Sequence, residues 1–202
     1  MKKVLLLISF IYLFPTLSFA EFDLGVKVGY SASKFTTDAE QFSNDFKNGF
    51  AIGAFGKLGY GIFFLQPELI YSIDGSKITY KYDGQTITPT ITQNSIDLAL
   101  LAGINLTKSE SLFQLNLQGG LFTSIVTDKG LSDLPDVLAG TDFKNLVYGI
   151  KLGLGAEFSN FVFHLRYITG LNNIYKDGIG LQNVDMKNVK IEFAVGIKLL
   201  SF

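Results

Sequence analysis

Val189-Lys190-Ile191-Glu192-Phe193-Ala194-Val195-Gly196-Ile197-Lys198-Leu199-Leu200-Ser201-Phe202 closes the chain, and its alternation decides the fold. Val189, Ile191, Phe193, Val195, Ile197 and Leu199 fall on one side; Lys190, Glu192, Ala194, Gly196 and Lys198 fall on the other. Side chains of a strand switch faces at every residue, so one face is greasy and the other charged or tiny. Such a strand suits a wall between lipid and a polar interior.

The same period recurs upstream and predicts eight strands in all. They run Phe22–Ser31, Gly49–Gly59, Phe63–Ser72, Ile96–Leu106, Leu112–Ser124, Asn145–Glu157, Phe161–Gly170 and Val189–Leu200. Most match the ~10 residues that a tilted strand needs to cross a bilayer. The connections around Tyr60-Gly61, Thr107–Ser111 and Ser159-Asn160 are short. Those over Ala32–Asn48, Ile73–Ser95, Ile125–Lys144 and Leu171–Asn188 are long and rich in Asp, Asn, Gly, Ser and Thr. An even number of antiparallel strands with connections in that order places both chain ends on the short-turn side, the periplasmic side of an outer-membrane barrel. Within the second long connection, Lys77–Tyr82 and Thr86–Thr92 flank Asp83-Gly84, a favoured two-residue turn. A hairpin is expected there, extending strands three and four beyond the membrane.

Aromatic placement supports a membrane setting. Outward positions at the short-turn ends include Phe22, Tyr60, Phe63, Phe113, Phe158 and Phe161; those at the long-connection ends include Tyr30, Phe50, Tyr71, Tyr148 and Tyr167. Amphipathic rings collect at lipid–water boundaries, so two belts are expected. The alternative is a soluble lipid-carrier barrel with its apolar face inward. Eight strands enclose little volume, and a lumen of small residues and ion pairs fits it better.

The N-terminus reads as a secretory signal over residues 1–20. Lys2 and Lys3 precede the apolar run Val4–Phe14, Pro15 breaks it, and Ser18-Phe19-Ala20 is a cleavage-site pattern before Glu21. That run is short of the ~20 residues that a spanning helix needs. Residues 21–202 are expected to form one barrel domain. Taking Lys2 and Lys3 from the 17 basic residues leaves 15 against 18 acidic, so the exported chain is at about −3. The basic residues are scattered, so no nucleic-acid partner is indicated. Cysteine is absent, which excludes disulfides and thiol chemistry.

Phe64-Leu65-Gln66-Pro67-Glu68-Leu69-Ile70-Tyr71-Ser72 resembles the third-strand signature of the PorT-like outer-membrane β-barrel family of Gram-negative bacteria. Leu24-Gly25-Val26-Lys27-Val28-Gly29, Gly153-Leu154-Gly155-Ala156-Glu157 and Leu165-Arg166-Tyr167-Ile168-Thr169-Gly170-Leu171-Asn172-Asn173-Ile174 are similar to other segments of that family. The resemblance implies an eight-stranded barrel without a cofactor and usually without an assigned activity; some relatives assist the secretion of other proteins, but no motif here is specific to that role. One departure concerns the C-terminus. Outer-membrane barrels commonly end in an aromatic residue in step with the apolar face, and Phe202 is one residue out of step. A bulge near Leu199–Leu200 would restore the register.

Assigning the polar parity inward puts Asp23, Lys27, Lys57, Glu68, Asp97, Lys151, Glu157, Arg166, Lys190, Glu192 and Lys198 in the lumen. An ion-selective pore favours rings of one sign, whereas near-balanced charge suggests ion pairs that plug a narrow barrel. Glu192 is expected between Arg166 and Lys27, with Glu68 completing a structural cluster across the lumen. Arg166 is the only arginine, and its fork suits a bidentate carboxylate contact.

His164, the only histidine, is expected to point inward near the short-turn end. No Ser lies two residues on, and no G-x-S-x-G elbow occurs, so no catalytic residue is assigned. Asp128, Asp133, Asp136, Asp142, Asp177 and Asp185 lack calcium-loop spacing and read as solvated loop charge. Ile78, Tyr80, Tyr82, Ile87 and Ile91 instead offer a protein partner an exposed β-ribbon.

The sequence thus predicts an all-β, eight-stranded antiparallel up-and-down transmembrane barrel in the outer membrane. Its termini are expected in the periplasm, with lipid as its surroundings and the monomer as its state. The expected role is structural, binding or surface interaction through the long outer loops, without enzymatic activity, cofactor or metal. Alternatives are an accessory to secretion or cell-surface assembly, and a narrow solute channel.

Overall fold

The computed structural model describes residues 21–37, 42–82, 85–87, 90–107, 112–132, 146–172 and 186–202. Residues 1–20, with the expected leader, lie outside them, as do Asp133, Asp136, Asp142, Asp177 and Asp185. Nine strands are present among the described residues: β1 Glu21–Thr37, β2 Phe42–Tyr60, β3 Phe63–Tyr82, β4 Gln85–Ile87, β5 Thr90–Asn105, β6 Phe113–Ser132, β7 Leu146–Phe158, β8 Phe161–Gly170 and β9 Met186–Ser201. All but β4 are staves of one antiparallel sheet ordered β2-β1-β9-β8-β7-β6-β5-β3, and the β2–β3 pairing closes it into an eight-stranded barrel.

Every predicted strand is present, but several run further. β1, β2, β3, β5 and β6 rise well past their predicted ends on the long-connection side. Apolar alternation marks where a strand needs a lipid face. The backbone ladder continues beyond it, because polar residues pair equally well. The expected hairpin is β3–β4: Tyr82 pairs with Gln85 around Asp83-Gly84, which lie outside the described residues.

Two short turns have two-residue loops, Gly61-Ile62 and Ser159-Asn160, closed by the pairs Tyr60↔Phe63 and Phe158↔Phe161. A positive φ at Gly61 (61°) and Ser159 (53°), but not at the residue after each, is the II′ pattern that matches strand twist.

The end of β9 resolves the register of Phe202. Leu24 pairs with Leu200 but Gly25 with Lys198, so Leu199 is an extra, bulged residue. Beyond the bulge Phe202 returns to the outer face. It exchanges two backbone hydrogen bonds with Phe22 (3.0 and 2.9 Å) and stacks on that ring at 6.3 Å.

The apolar parity faces out and the polar parity in. Val26, Leu100, Leu121, Leu154 and Phe193 are exposed, while Lys27, Glu68, Lys151, Arg166 and Glu192 are buried. A soluble carrier needs the reverse, so that alternative is overturned. Among the described residues three phenylalanine rings also point inward, Phe55, Phe64 and Phe122. Each stands directly across the ladder from a glycine, in the pairs Gly25↔Phe55, Phe64↔Gly103 and Phe122↔Gly149. A Cβ on Gly103 would lie 2.1 Å from Phe64 Cζ and 2.7 Å from the Leu117 carbonyl oxygen. Gly103→Ala is therefore expected to destabilise the barrel by about 1–3 kcal/mol, read from urea unfolding in micelles.

Candidate functional site

The polar parity of eight strands converges on a lumen that is filled rather than hollow. All eleven predicted lumenal charges lie there; Lys198 is half-buried and the rest are buried. Asp74 joins them. By alternation alone it falls in a long connection, but β3 runs on through it. The set is then six cations and six carboxylates among the described residues, stacked in three layers along the barrel.

At the short-turn end, Glu157 takes Lys57 on one oxygen at 2.5 Å and Lys198 on the other at 2.8 Å. Lys198 also meets Asp23 at 3.2 Å, Ser201 donates to Asp23, and Asn116 donates to Glu157 at 3.2 Å. The Lys57 ammonium sits 4.8 Å from the centre of the Phe64 ring, a cation–π contact.

The middle layer is organised by Glu68. Arg166 grips it with both fork nitrogens, Nη1 to Oε2 at 2.9 Å and Nη2 to Oε1 at 2.8 Å. Lys27 lies 2.9 Å from Oε2, and Gln66 donates to Oε1 at 2.7 Å. Gln118 accepts from Arg166 Nη2 at 2.9 Å and donates to Asn116 at 3.3 Å, tying this layer to the one below. The four expected residues Lys27, Glu68, Arg166 and Glu192 do meet. Their centre is Glu68, however, and Glu192 reaches Arg166 only at 3.8 Å. The expectation that Glu192 stands between Arg166 and Lys27 is corrected accordingly. Arg166 is directly opposite Glu192 in the ladder, yet its long side chain crosses the lumen to β3.

At the long-connection end, Asp74 accepts from Lys190 at 2.7 Å and from Ser31 at 3.1 Å. Asp97 accepts from Ser72 at 3.1 Å and from Ser95 at 3.2 Å. The hydroxyl and amide partners in all three layers were not singled out from the sequence. Their signal was parity, since Gln66, Ser72, Ser95, Asn116 and Gln118 share faces with the charges.

His164 points into the lumen, buried and edge-on to Phe55 at 6.4 Å. On the outer surface Tyr30, Phe50, Tyr60, Phe63, Tyr71, Phe113, Tyr148, Phe158, Phe161 and Tyr167 are exposed, and Phe22 is partly covered by Phe202. The side chains of Ile78, Tyr80, Tyr82, Ile87, Ile91 and Asp128 fall outside the described set.

Among solved structures the chain is similar to the outer membrane protein OprG from Pseudomonas aeruginosa, at 12% identity and a TM-score of 0.54, over 88% of this chain and 93% of that one. It is also similar to Neisserial surface protein A, at 10% identity and a TM-score of 0.46, covering 87% and 97%. Ail of Yersinia pestis matches at 11% identity and 0.41, covering 88% and 99%. The likeness to OprG speaks to the fold alone. No curated protein sequence matches the chain. The family profile of the outer membrane protein beta-barrel domain matches residues 15–176. The chain, an apolar-sided barrel around a charged lumen, belongs to the outer membrane protein beta-barrel domain family.

Proposed function

We propose that this outer-membrane barrel is a closed scaffold whose work is done at its long connections. The observation that carries this reading is the three-layer lumen, in which five cations and five carboxylates interlock in ion pairs where a conducting pore would keep one sign. Orientation follows from the connections: short turns and both termini lie in the periplasm, and the long connections face the medium, where they are available to a protein partner. The barrel acts as a monomer, with lipid against its apolar face and its aromatic rings at the two boundaries. His164 is held beside Phe55 within the lumen, which favours a packing role over catalysis. The PorT-like character rests on the segments Phe64–Ser72 and Leu165–Ile174, neither of which is specific to assistance in secretion, so an accessory role there is the second reading.

Conductance separates the scaffold from a channel. Purified barrel in planar bilayers is expected to give no steady open state. Persistent single-channel steps from the wild type would overturn the closed-lumen reading and favour a narrow solute channel.

A further inference from the structure

Charge is balanced inside the barrel but not along its outside. Past the long-connection belt the strands rise further, and outside the lumen that rising part holds six lysines, Lys34, Lys47, Lys77, Lys81, Lys129 and Lys187, against two aspartates, Asp45 and Asp128. The long connections outside the described residues have the opposite bias in sequence, with eight acidic residues to two lysines, so the basic excess belongs to the strands. The short-turn end has no such excess: outside the lumen its charged residues are Glu21, Lys108 and Glu110.

Three of the lysines gather on neighbouring strands. Lys47 of β2 is opposite Ser33 of β1, Lys34 of β1 is opposite Val189 of β9, and Lys187 of β9 is opposite Thr36 of β1. None of the three has an acidic residue across the ladder, whereas Lys77 has Asp45 there. Lys47 Nζ donates instead to the neutral Thr92 hydroxyl at 2.9 Å. Height matters as much as charge. Tyr30 marks the belt on β1, and Ser33, Lys34 and Thr36 follow it by three, four and six residues. At ~3.3 Å per residue and a tilt of ~40°, the cluster spans ~8–15 Å above that ring. A phospholipid headgroup adds only ~5–8 Å to each side of the hydrocarbon. The belt below is suited to polar headgroups too. Tyr30, Tyr71, Tyr148 and Tyr167 are exposed there, while Tyr60 is the one tyrosine of the short-turn belt. A phenol hydroxyl can bond a headgroup oxygen, which a phenylalanine ring cannot.

We propose that the cluster of Lys34, Lys47 and Lys187 binds the phosphates of a glycolipid whose tall saccharide headgroup stands on the long-connection side of the membrane. Opposite charge selects the phosphates. The height of the cluster selects a headgroup taller than that of a phospholipid, and the acyl chains continue onto the apolar face of the barrel. The orientation proposed above decides only which leaflet supplies this lipid.

Heat unfolding of the folded barrel in dodecylphosphocholine micelles tests this, with rough lipopolysaccharide as the phosphorylated glycolipid and EDTA to remove bridging metal ions. Micelles have no sides, so a wrong orientation would not disturb the result. The midpoint is expected to rise by about 5 °C as the lipid binds the folded state. Most of that rise should vanish in about 0.5 M NaCl, where exposed charges are screened within a few ångströms. The triple variant Lys34→Gln, Lys47→Gln, Lys187→Gln is expected to match the wild type in plain micelles and to lose at least half of the rise. No rise in the wild type, a rise indifferent to salt, or a full rise in the triple variant or with dephosphorylated lipopolysaccharide would each overturn the proposal. An equal rise with phosphatidylglycerol at matched phosphate would overturn the choice of a glycolipid, and an equal rise with inositol hexakisphosphate would make the ligand a soluble polyanion. Should the triple variant fail to fold, Lys34→Gln and Lys187→Gln are each expected to reduce the rise, and undiminished rises in both overturn the proposal.

Discussion

Glu68→Ala is expected to lower the stability of the barrel by about 3–5 kcal/mol, the range for breaking a buried pair from one side. Glu68 is the only carboxylate within 3 Å of Arg166 among the described residues, and it takes Lys27 at 2.9 Å as well. Truncating it strands two buried cations in a dry lumen, where little water can replace the lost oxygens. Arg166 would keep Gln118 at 2.9 Å and the distant Glu192 at 3.8 Å, neither of which substitutes for a bidentate contact. Glu192→Ala should therefore cost clearly less, although it removes the same charge. Replacing both partners, Glu68→Leu with Arg166→Met, should recover much of the loss, because no unpaired fork then remains. Urea midpoints in micelles, together with the temperature at which the folded gel band shifts, give the comparison. Equal losses for Glu68→Ala and Glu192→Ala would return Glu192 to the centre of the cluster.

The contrast between those two glutamates also marks where sequence reading stops. Val189–Phe202 announces its faces residue by residue, and the same alternation on the other staves suffices for strand number, closure and lumenal parity. Adjacent pairing follows too: Arg166 opposite Glu192 can be derived from strands seven and eight alone. Contacts across the lumen are another matter. Whether Glu68 meets Arg166 and Lys27 depends on tilt and stagger, which are set by all eight registers together, bulges included. Among the described residues three register shifts occur, near Leu24, Phe46 and Asn94, and each displaces everything beyond it. Asp74 was missed for a related reason. It follows the last apolar outward residue, Ile73, and there the alternation gives out while the hydrogen-bond ladder does not. The inward rings of Phe55, Phe64 and Phe122 did carry a signal in the sequence. Each shares parity with lumenal polar residues, but the glycine that makes room for it becomes visible only once the register is known.

Leu154→Arg is expected to destabilise the barrel in lipid by about 2–4 kcal/mol, whereas Leu112→Arg should cost about 0–1 kcal/mol. Both leucines are exposed, at 54% and 83%, so solvent accessibility alone would make both substitutions cheap. Depth decides between them. On β7 the outward rings Tyr148 and Phe158 bracket Leu154, whose neighbours Leu152 and Leu165 are also outward and apolar. The ten steps from Tyr148 to Phe158 rise ~33 Å along the strand, and a tilt of ~40° reduces that to ~25 Å across the membrane. That is the height of the apolar band in outer-membrane barrels, and it places Leu154 near its midplane. An arginine there has about 10 Å of hydrocarbon on the nearer side and about 15 Å on the other, and it reaches water only by thinning the bilayer. Leu112 precedes Phe113 in the short-turn end, outside the ring belt, where a guanidinium extends directly into water. Unfolding from lipid vesicles is the required measurement, since a micelle rearranges around a misplaced charge and blunts the difference. Equal costs at the two positions would show that the rings of Tyr148 and Phe158 do not mark the boundaries of the bilayer, and the assignment of both belts would fall with them.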